Sequence, residues 1–141
     1  MSQEKELSTI EKVLFLKSID LFAQAAIEEL GRVAALTVDV RFTADETIFR
    51  EGELVDAIYF VVSGRVTVLR KGKRVHEVGA KEAFAIVAAL DQAPAVHTVT
   101  ALEPVHALKL NAQDFHDILG LDYELVRAVF HALCRMMREN H

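Results

Sequence analysis

The stretch AIYFVVSGRVTV, Ala57–Val68, decides the fold of this chain. Its first half, Ile58–Val62, is apolar throughout, which is typical of a strand that is covered on both faces. Gly64 interrupts the run, and Val66 and Val68 resume a β pattern after it. Because glycine adopts a positive φ without a Cβ clash, Gly64 predicts a tight corner between two strands. The stretch therefore predicts a hairpin in a mainly β domain.

Other short strand patterns flank this hairpin on both sides. Val38, Val40 and Phe42 alternate with polar residues, and the glycines at 52, 72 and 79 stand where apolar runs meet. Short strands with turn signals about every 8–12 residues favour a sandwich or a barrel. The predicted strands, besides the hairpin, are 37–42, 47–49, 75–78, 96–101 and 105–110.

Helical patterns precede the strands and interrupt them once. Ser8, with Glu11 three residues on, forms a capping-box pattern, and a second helix is predicted from about Ala23 to Ala35. Within the strand series, Ala83–Leu90 is a run of helix formers and predicts a short inserted helix.

Helical spacing returns at the end of the chain. Asn111 is predicted to cap a helix that Gly120 ends, and Asp122 is predicted to cap the next one. The last helix carries apolar residues at spacings of three and four, which are Val126, Val129, Phe130, Leu133, Met136 and Met137.

Length, composition and charge exclude several classes of protein. The chain has 141 residues, of which 52% are hydrophobic, so it fits one folded domain and not a disordered segment. Its 16 Lys and Arg against 21 Asp and Glu disfavour a general polyanion binder. Cys134 is the only cysteine, so no disulfide can form within the chain. No uncharged run approaches the roughly 20 residues that a bilayer requires, and we expect a soluble, cytoplasmic segment without membrane insertion.

These features together resemble the cyclic nucleotide-binding domain family. The resemblance lies in DETIFREGE, Asp45–Glu53, in the hairpin stretch quoted above, and in the spacing from Phe84 to Thr98. Asp45 stands where the family usually has glycine. The resemblance implies an eight-stranded jelly-roll β-barrel (a double-stranded β-helix) with flanking helices and a short inserted helix. It divides the chain into a helical lead-in at 1–36, the jelly roll at 37–110 and closing helices at 111–141.

The phosphate-binding cassette is the part of the family pattern from which this chain departs. The family reads F-G-E-x-A-L-L and then P-R-S/A-A-T/S, whereas this chain reads FAIVAAL at 84–90 and PAVHT at 94–98. The family glycine is Ala85 here. The glutamate that accepts from the ribose hydroxyl is Ile86, and the arginine that pairs with the cyclic phosphate is Ala95. The candidate ligand-binding positions are Phe84, Ala85, Ile86, Val87, Ala95, Val96 and His97.

We expect this cassette to bind cyclic nucleotides weakly or not at all. A charge-assisted hydrogen bond contributes roughly 1.5–3 kcal/mol, so losing two removes about 3–6 kcal/mol. That loss is about two to four decades of affinity. Ile86, Val87, Ala89 and Leu90 are expected to fill the pocket, and no cofactor is expected. The chain is then a regulatory or interaction module of a larger protein and not an enzyme, like the domains appended to bacterial transporters or helical-repeat proteins.

Alternatives remain open at the pocket. It can serve as a sensor of another small ligand, apolar or anionic, or backbone N–H groups can retain residual cyclic AMP or cyclic GMP binding. His97 is either a replacement anion donor or a filler of the space left by the missing arginine. None of the six histidines stands in a His-x-His pair, so no metal site is predicted.

Partners are expected at the last helix. The family commonly dimerises there, so Val126, Val129, Phe130, Leu133 and Met137 are candidate contacts with a second copy or with parent-chain domains. Cys134, on the same helix, is predicted to be a small core residue. No recognition helix follows in this segment, so no direct nucleic-acid contact is expected.

Overall fold

The structure is a computed structural model that describes residues 6–139. These residues form five α-helices, one 3-10 turn and eight strands. The elements are α1 Thr9–Lys17, the 3-10 turn Asp20–Phe22, α2 Ile27–Leu36, β1 Thr37–Phe42, β2 Thr47–Phe49, β3 Ala57–Ser63, β4 Val66–Arg70, β5 Lys73–Val78, β6 Ala83–Phe84, α3 Ile86–Asp91, β7 Thr98–Ala101, β8 Val105–Asn111, α4 Ala112–Leu121 and α5 Tyr123–Glu139.

The strands form two antiparallel sheets of four strands each. The first sheet has the order β1-β8-β3-β6 and the second the order β2-β7-β4-β5. Pairs such as Ile58 with Leu110 in the first sheet and Val68 with Val99 in the second set the register. The mainly β jelly roll with flanking helices is confirmed. The two sheets face each other without closing into one hydrogen-bonded barrel, because their edge strands pair only within their own sheet.

Strand β3 is buried on both faces, as its apolar run predicts. Ile58 and Phe60 enter a core beneath the helices, where the Phe22 and Phe60 rings lie 5.5 Å apart. Tyr59 and Val61 point the other way, into the core between the two sheets. Side chains alternate along a strand, so one strand supplies both cores.

The capping predictions at three helix starts are confirmed. Ser8 and Glu11 form the reciprocal capping box of α1. The Asn111 side chain accepts from the Asp114 backbone N–H at 3.0 Å, and Asp122 accepts from Leu125 at 3.0 Å. These helix boundaries are local, so neighbouring residues specify them.

Three predicted helix boundaries were wrong. The second helix begins at Ile27 and not at Ala23, because a 3-10 turn precedes it and the Glu29 carboxylate caps the Ala26 N–H at 2.8 Å. Gly120 does not end α4, which continues to Leu121. The inserted helix begins at Ile86 and not at Ala83, because Ala83 and Phe84 pair with β3 as strand β6.

Two strand predictions also needed correction. Residues 96 and 97 lie outside β7, which begins at Thr98. In β1 the polar residue Asp39 is buried, since its carboxylate lies 2.6 Å from Nε2 of His106 and accepts from the Leu7 N–H. Val38, on the opposite face, is half exposed. Within residues 6–139 no helix has the length and apolar content that crossing a bilayer would require.

Candidate functional site

A cavity of about 320 Å³ lies between α3, the segment that precedes β7, and the inner face of the second sheet. All seven predicted site positions line it, from Phe84–Val87 and from Ala95–His97. The structure adds wall residues besides the seven predicted positions, which are Phe49, Val68, His76, Ala83, Ala88, Asp91, Ala93, Pro94 and Val99. Four of them, Phe49, Val68, His76 and Val99, lie on strands of the second sheet.

Aromatic rings form one wall of the cavity. Phe84 stacks on Tyr59 with ring centroids 4.9 Å apart, and it lies 6.2 Å from Phe49. Burial raises the pKa of the Tyr59 hydroxyl, and the negative charge of Asp56 raises it further, so this hydroxyl stays neutral. This wall therefore offers a flat apolar surface and no charge.

Helix α3 begins directly from a strained residue. Ala85 has φ 71°, in the left-handed region, and its carbonyl accepts from the Ala89 N–H at 3.1 Å. The turn aims Ile86 into the junction between the cavity and the core beneath the helices. The position that would present a carboxylate to a ribose therefore presents an aliphatic side chain.

Main-chain hydrogen bonds hold the other cassette segment against the β2–β3 loop. The Ala95 N–H donates to the Glu53 carbonyl and its own carbonyl accepts from the Gly52 N–H, both at 2.8 Å. The Thr98 hydroxyl accepts from the Glu51 N–H at 3.1 Å. Ala95 is buried in the cavity wall, so the residue at this position is well placed but carries only a methyl group.

The cavity has no lysine or arginine in its lining. Its titratable lining residues are His76, His97 and Asp91. Burial, followed by the charges of His76 and Arg70, lowers the pKa of the His97 imidazole, and Glu51 opposes this shift. His97 is therefore neutral at pH 7, and no lining side chain supplies a permanent cation to a phosphate.

The expected filling of the pocket by α3 side chains was wrong. Val87 is 73% exposed, while Ala89 and Leu90 pack against the core beneath the helices. Only Ile86 and Val87 of the four reach the cavity lining, and the cavity stays open. A helix cannot turn all its apolar residues toward one side, so α3 divides them between the core and the cavity.

The family model of the cyclic nucleotide-binding domain matches residues 39–122. The chain belongs to the cyclic nucleotide-binding domain family. Such domains typically regulate and do not catalyse, so the chain is a regulatory module.

Named relatives agree with this membership. The chain is 29% identical over 116 residues to a cAMP-dependent protein kinase regulatory subunit from Debaryomyces hansenii, covering 81% of this chain and 25% of that protein. It is 28% identical over 126 residues to an uncharacterised NTE family protein from Mycobacterium bovis, covering 89% of this chain and 22% of that protein. The chain thus spans about a quarter of the length of these curated relatives.

A solved structure shows the same arrangement. The N-terminal domain of a transcriptional regulator from Streptomyces coelicolor A3(2) superposes with a TM-score of 0.79 at 27% identity, covering 90% of this chain and 94% of that one.

A second, more open groove lies on the other side of α3. Its volume is about 630 Å³, and α4 and α5 complete it. Val87 and Asp91 line both this groove and the first cavity, so α3 separates the two. The His116 Nε2 atom at this groove is buried, with no hydrogen-bond partner among the described residues.

Helix α5 divides the residues of its predicted partner stripe. Val129 is 3% exposed and belongs to the core, so its assignment as a partner contact was wrong. Phe130 and Met137 are 66% and 65% exposed. Tyr123, which the sequence analysis missed, is also exposed and stands seven residues before Phe130. The seven-residue spacing was the signal that could have identified it.

Cys134 is exposed and not a core residue as predicted. Its position on α5 falls outside the face that packs on the jelly roll. Among residues 6–139, no three His, Cys, Asp or Glu side chains cluster as a metal site would require. His141, the last histidine, lies outside the described residues.

Proposed function

We propose that this chain is a non-catalytic regulatory module whose pocket does not retain cyclic AMP or cyclic GMP at physiological concentrations. One observation carries the proposal: an open, family-type cavity presents Ile86 and Ala95 where the cassette needs a carboxylate and a guanidinium. Burial and neighbouring charges lower the pKa of the His97 imidazole, so His97 is neutral at pH 7 and does not replace that guanidinium.

The size of the effect supports the proposal. Two missing charge-assisted contacts correspond to about 3–6 kcal/mol, or roughly two to four decades of affinity. The cavity volume of about 320 Å³ lies in the range of small-molecule sites. Chemistry, and not lack of space, is therefore the reason for weak binding.

Isothermal titration calorimetry with cyclic AMP and cyclic GMP tests the proposal. We expect no binding by the wild-type chain in the micromolar range. A double variant, Ile86→Glu with Ala95→Arg, restores both polar groups and is expected to gain roughly two to four decades of affinity.

The matched control is Ile86→Gln with Ala95→Met, which adds similar bulk without charge. Circular dichroism establishes that both variants fold. A wild-type dissociation constant of tens of micromolar or tighter contradicts the proposal. Equal affinities in the charged and neutral double variants contradict the reason given for it.

The open cavity favours a second function, the sensing of a different small ligand. A locked structural unit is expected to bury its own side chains there, but Ala89 and Leu90 pack against the core beneath the helices and Val87 is 73% exposed. A mostly apolar lining with two histidines suits a ligand less polar than a sugar phosphate.

We propose that α5 also carries the partner contact, with a second copy of this chain as the partner. Tyr123, Phe130 and Met137 repeat every seven residues, and Val126 and Leu133 fall three residues after the first two. An apolar residue at the first and fourth positions of each heptad is the pattern of a coiled-coil seam. Its exposed members leave this seam available.

The remaining expectations stand as parts of the same proposal. The module belongs to a larger protein, because its curated relatives are about four times as long. A cytoplasmic location fits a chain with one cysteine. This segment itself neither binds nucleic acid nor inserts into a membrane, since its role is to transmit a signal between domains.

A further inference from the structure

Two histidines, His76 and His97, line the cavity, and the strand register brings Arg70 close to it. His76 pairs with Val68 across β5 and β4, and Leu69 pairs with Thr98 across β4 and β7. Side chains alternate along a strand, so Arg70 lies on the same face of β4 as Val68, which lines the cavity. Arg70 thus extends from the cavity face toward His97, the residue before Thr98.

Electrostatics agree with this placement. The charges of Arg70 and His76 both act on His97, after burial, to lower the pKa of its imidazole. The acidic groups nearby are Glu51, in the β2–β3 loop, and Asp91, on α3. Glu51 accepts from the Lys71 backbone N–H at 2.6 Å, which ties it to the turn between β4 and β5.

That turn is the most basic stretch of an acidic chain. It reads RKGKR at 70–74, in a protein with a formal net charge of −5. Arg74 pairs with Glu77 at 2.9 Å. Arg70, Lys71 and Lys73 belong to no ion pair within residues 6–139. Cations without carboxylate partners around a cavity attract an anion.

The interior of the cavity has the opposite character. Phe49, Phe84, Val68 and Val99 line it with rings and branched aliphatic groups. An apolar wall beneath a basic rim suits a ligand with an apolar portion and one anionic group. Burial of the apolar portion and pairing of the anion with the basic side chains then both favour binding.

We propose that this cavity binds a small carboxylic acid with an apolar ring or short chain. Its body packs on Phe49, Phe84 and Val99, and its carboxylate meets Arg70 and His97 at the rim. This inference rests on the proposed function in one respect, that the pocket serves a ligand other than a cyclic nucleotide.

Calorimetric titration with octanoate and with its neutral counterpart, octanamide, tests the inference. We expect octanoate to bind at least tenfold more tightly than octanamide. Arg70→Gln is expected to reduce that preference to threefold or less. Arg127→Gln, an equal change of charge on the exposed face of α5, is expected to leave the preference unchanged.

The pH dependence of octanoate binding provides a second test. Anion binding strengthens as the pH falls and His97 gains its proton, so the preference for octanoate is expected to be larger at pH 6 than at pH 8. Arg70, His76, Glu51 and Asp91 remain in the His97→Gln variant, which is expected to show a smaller dependence than the wild type. A wild-type preference that does not change with pH overturns the role of His97.

The outcomes separate the two proposals. Equal binding of octanoate and octanamide, or binding of neither, overturns this inference and leaves the cyclic nucleotide result untouched. Tight binding of cyclic AMP in the same series overturns the proposed function, whatever octanoate does. Because Arg70 is exposed, its variant is expected to fold, and its thermal unfolding provides the check.

Discussion

Ala85 carries a side chain in a backbone conformation that usually belongs to glycine. Its φ is 71°, and the family has glycine at this position of the cassette. The left-handed region costs an L-residue about 1–2 kcal/mol, because Cβ approaches the following carbonyl oxygen. The fold supports this strain because β6 and α3 fix the residues on both sides.

We expect Ala85→Gly to raise the free energy of unfolding by about 0.5–1 kcal/mol. Relief of the strain exceeds the roughly 0.5–1 kcal/mol by which glycine favours the unfolded chain. Urea denaturation measures the change. The control, Ala88→Gly within α3, is expected to lower the free energy of unfolding by about 1 kcal/mol. If Ala85→Gly lowers the free energy of unfolding as Ala88→Gly does, the backbone of Ala85 is not strained.

Glycine is required at position 64 for two reasons, its positive φ and the close approach of the Pro104 backbone. Its φ is 92°, and a Cβ built on it lies 2.3 Å from the carbonyl oxygen of Pro104. We expect Gly64→Ala to lower the free energy of unfolding by about 3 kcal/mol or more, since backbone and not a flexible side chain must move.

Gly72→Ala is the matched control for Gly64. Gly72 also has a positive φ, of 79°, but an added Cβ meets nothing within 4 Å. Conformational strain alone then costs about 1–2 kcal/mol. Thermal denaturation of both variants separates the backbone strain from the clash with Pro104. Equal losses of stability in the two variants would show that the Pro104 contact is not the larger effect.

At the scale of the element, Asp122 joins two helices. Its side chain caps α5 by accepting from the Leu125 N–H at 3.0 Å, and it forms an ion pair with Arg32 of α2. The hydrogen bond from the Leu125 N–H is the largest effect on this carboxyl group and lowers its pKa. Burial, the second effect, raises the pKa, and the hydrogen bond from Arg32 lowers it further.

We expect Asp122→Ala to lower the free energy of unfolding by about 1 kcal/mol at pH 7. A carboxyl group whose pKa is lower in the folded state stabilises the fold at pH values above its unfolded pKa. This stabilisation is lost as the pH falls through the folded pKa. The difference between the wild type and this variant should therefore be constant down to about pH 4 and shrink below it.

Chemical denaturation across this pH range measures the effect of Asp122. Asp122→Asn keeps an oxygen acceptor for the cap and is expected to retain most of the stability. If the Asn variant loses as much stability as the Ala variant, the ion pair with Arg32 and not the cap is the main contribution.

Elements with local causes were predictable, and those with distant causes were not. The capping box at Ser8 depends on Glu11, three residues away, and the sequence shows it. The Ala83–Leu90 run consists of helix formers with two β-branched residues, yet Ala83 and Phe84 pair with Phe60 and Tyr59 of β3. Partners more than 20 residues away in sequence override local helix propensity there.

For the molecule as a whole, α5 presents an outer apolar face that has no partner among residues 6–139. We expect the chain to form a dimer through the seam of Tyr123, Phe130 and Met137. Phe130→Glu places a charge in the seam and is expected to weaken the dimer by at least tenfold. Sedimentation equilibrium measures this change.

His131→Glu is the control for the dimer. It makes the same kind of substitution one residue along, at an exposed position outside the seam, and is expected to leave the dimer intact. A wild-type chain that sediments as a monomer at all accessible concentrations contradicts the proposed interface.

The sequence by itself determined most of the order of strands and helices, without β6 and the 3-10 turn, and it determined the chemistry missing from the cassette. Periodicity and caps depend on near neighbours, and Ile86 and Ala95 are apolar wherever the fold places them. Only the tertiary structure decided that the cavity is open, that Val129 faces inward and that the pairing of β4 with β7 brings Arg70 close to His97. Those features depend on how separate elements pack, and packing joins residues that are distant along the chain.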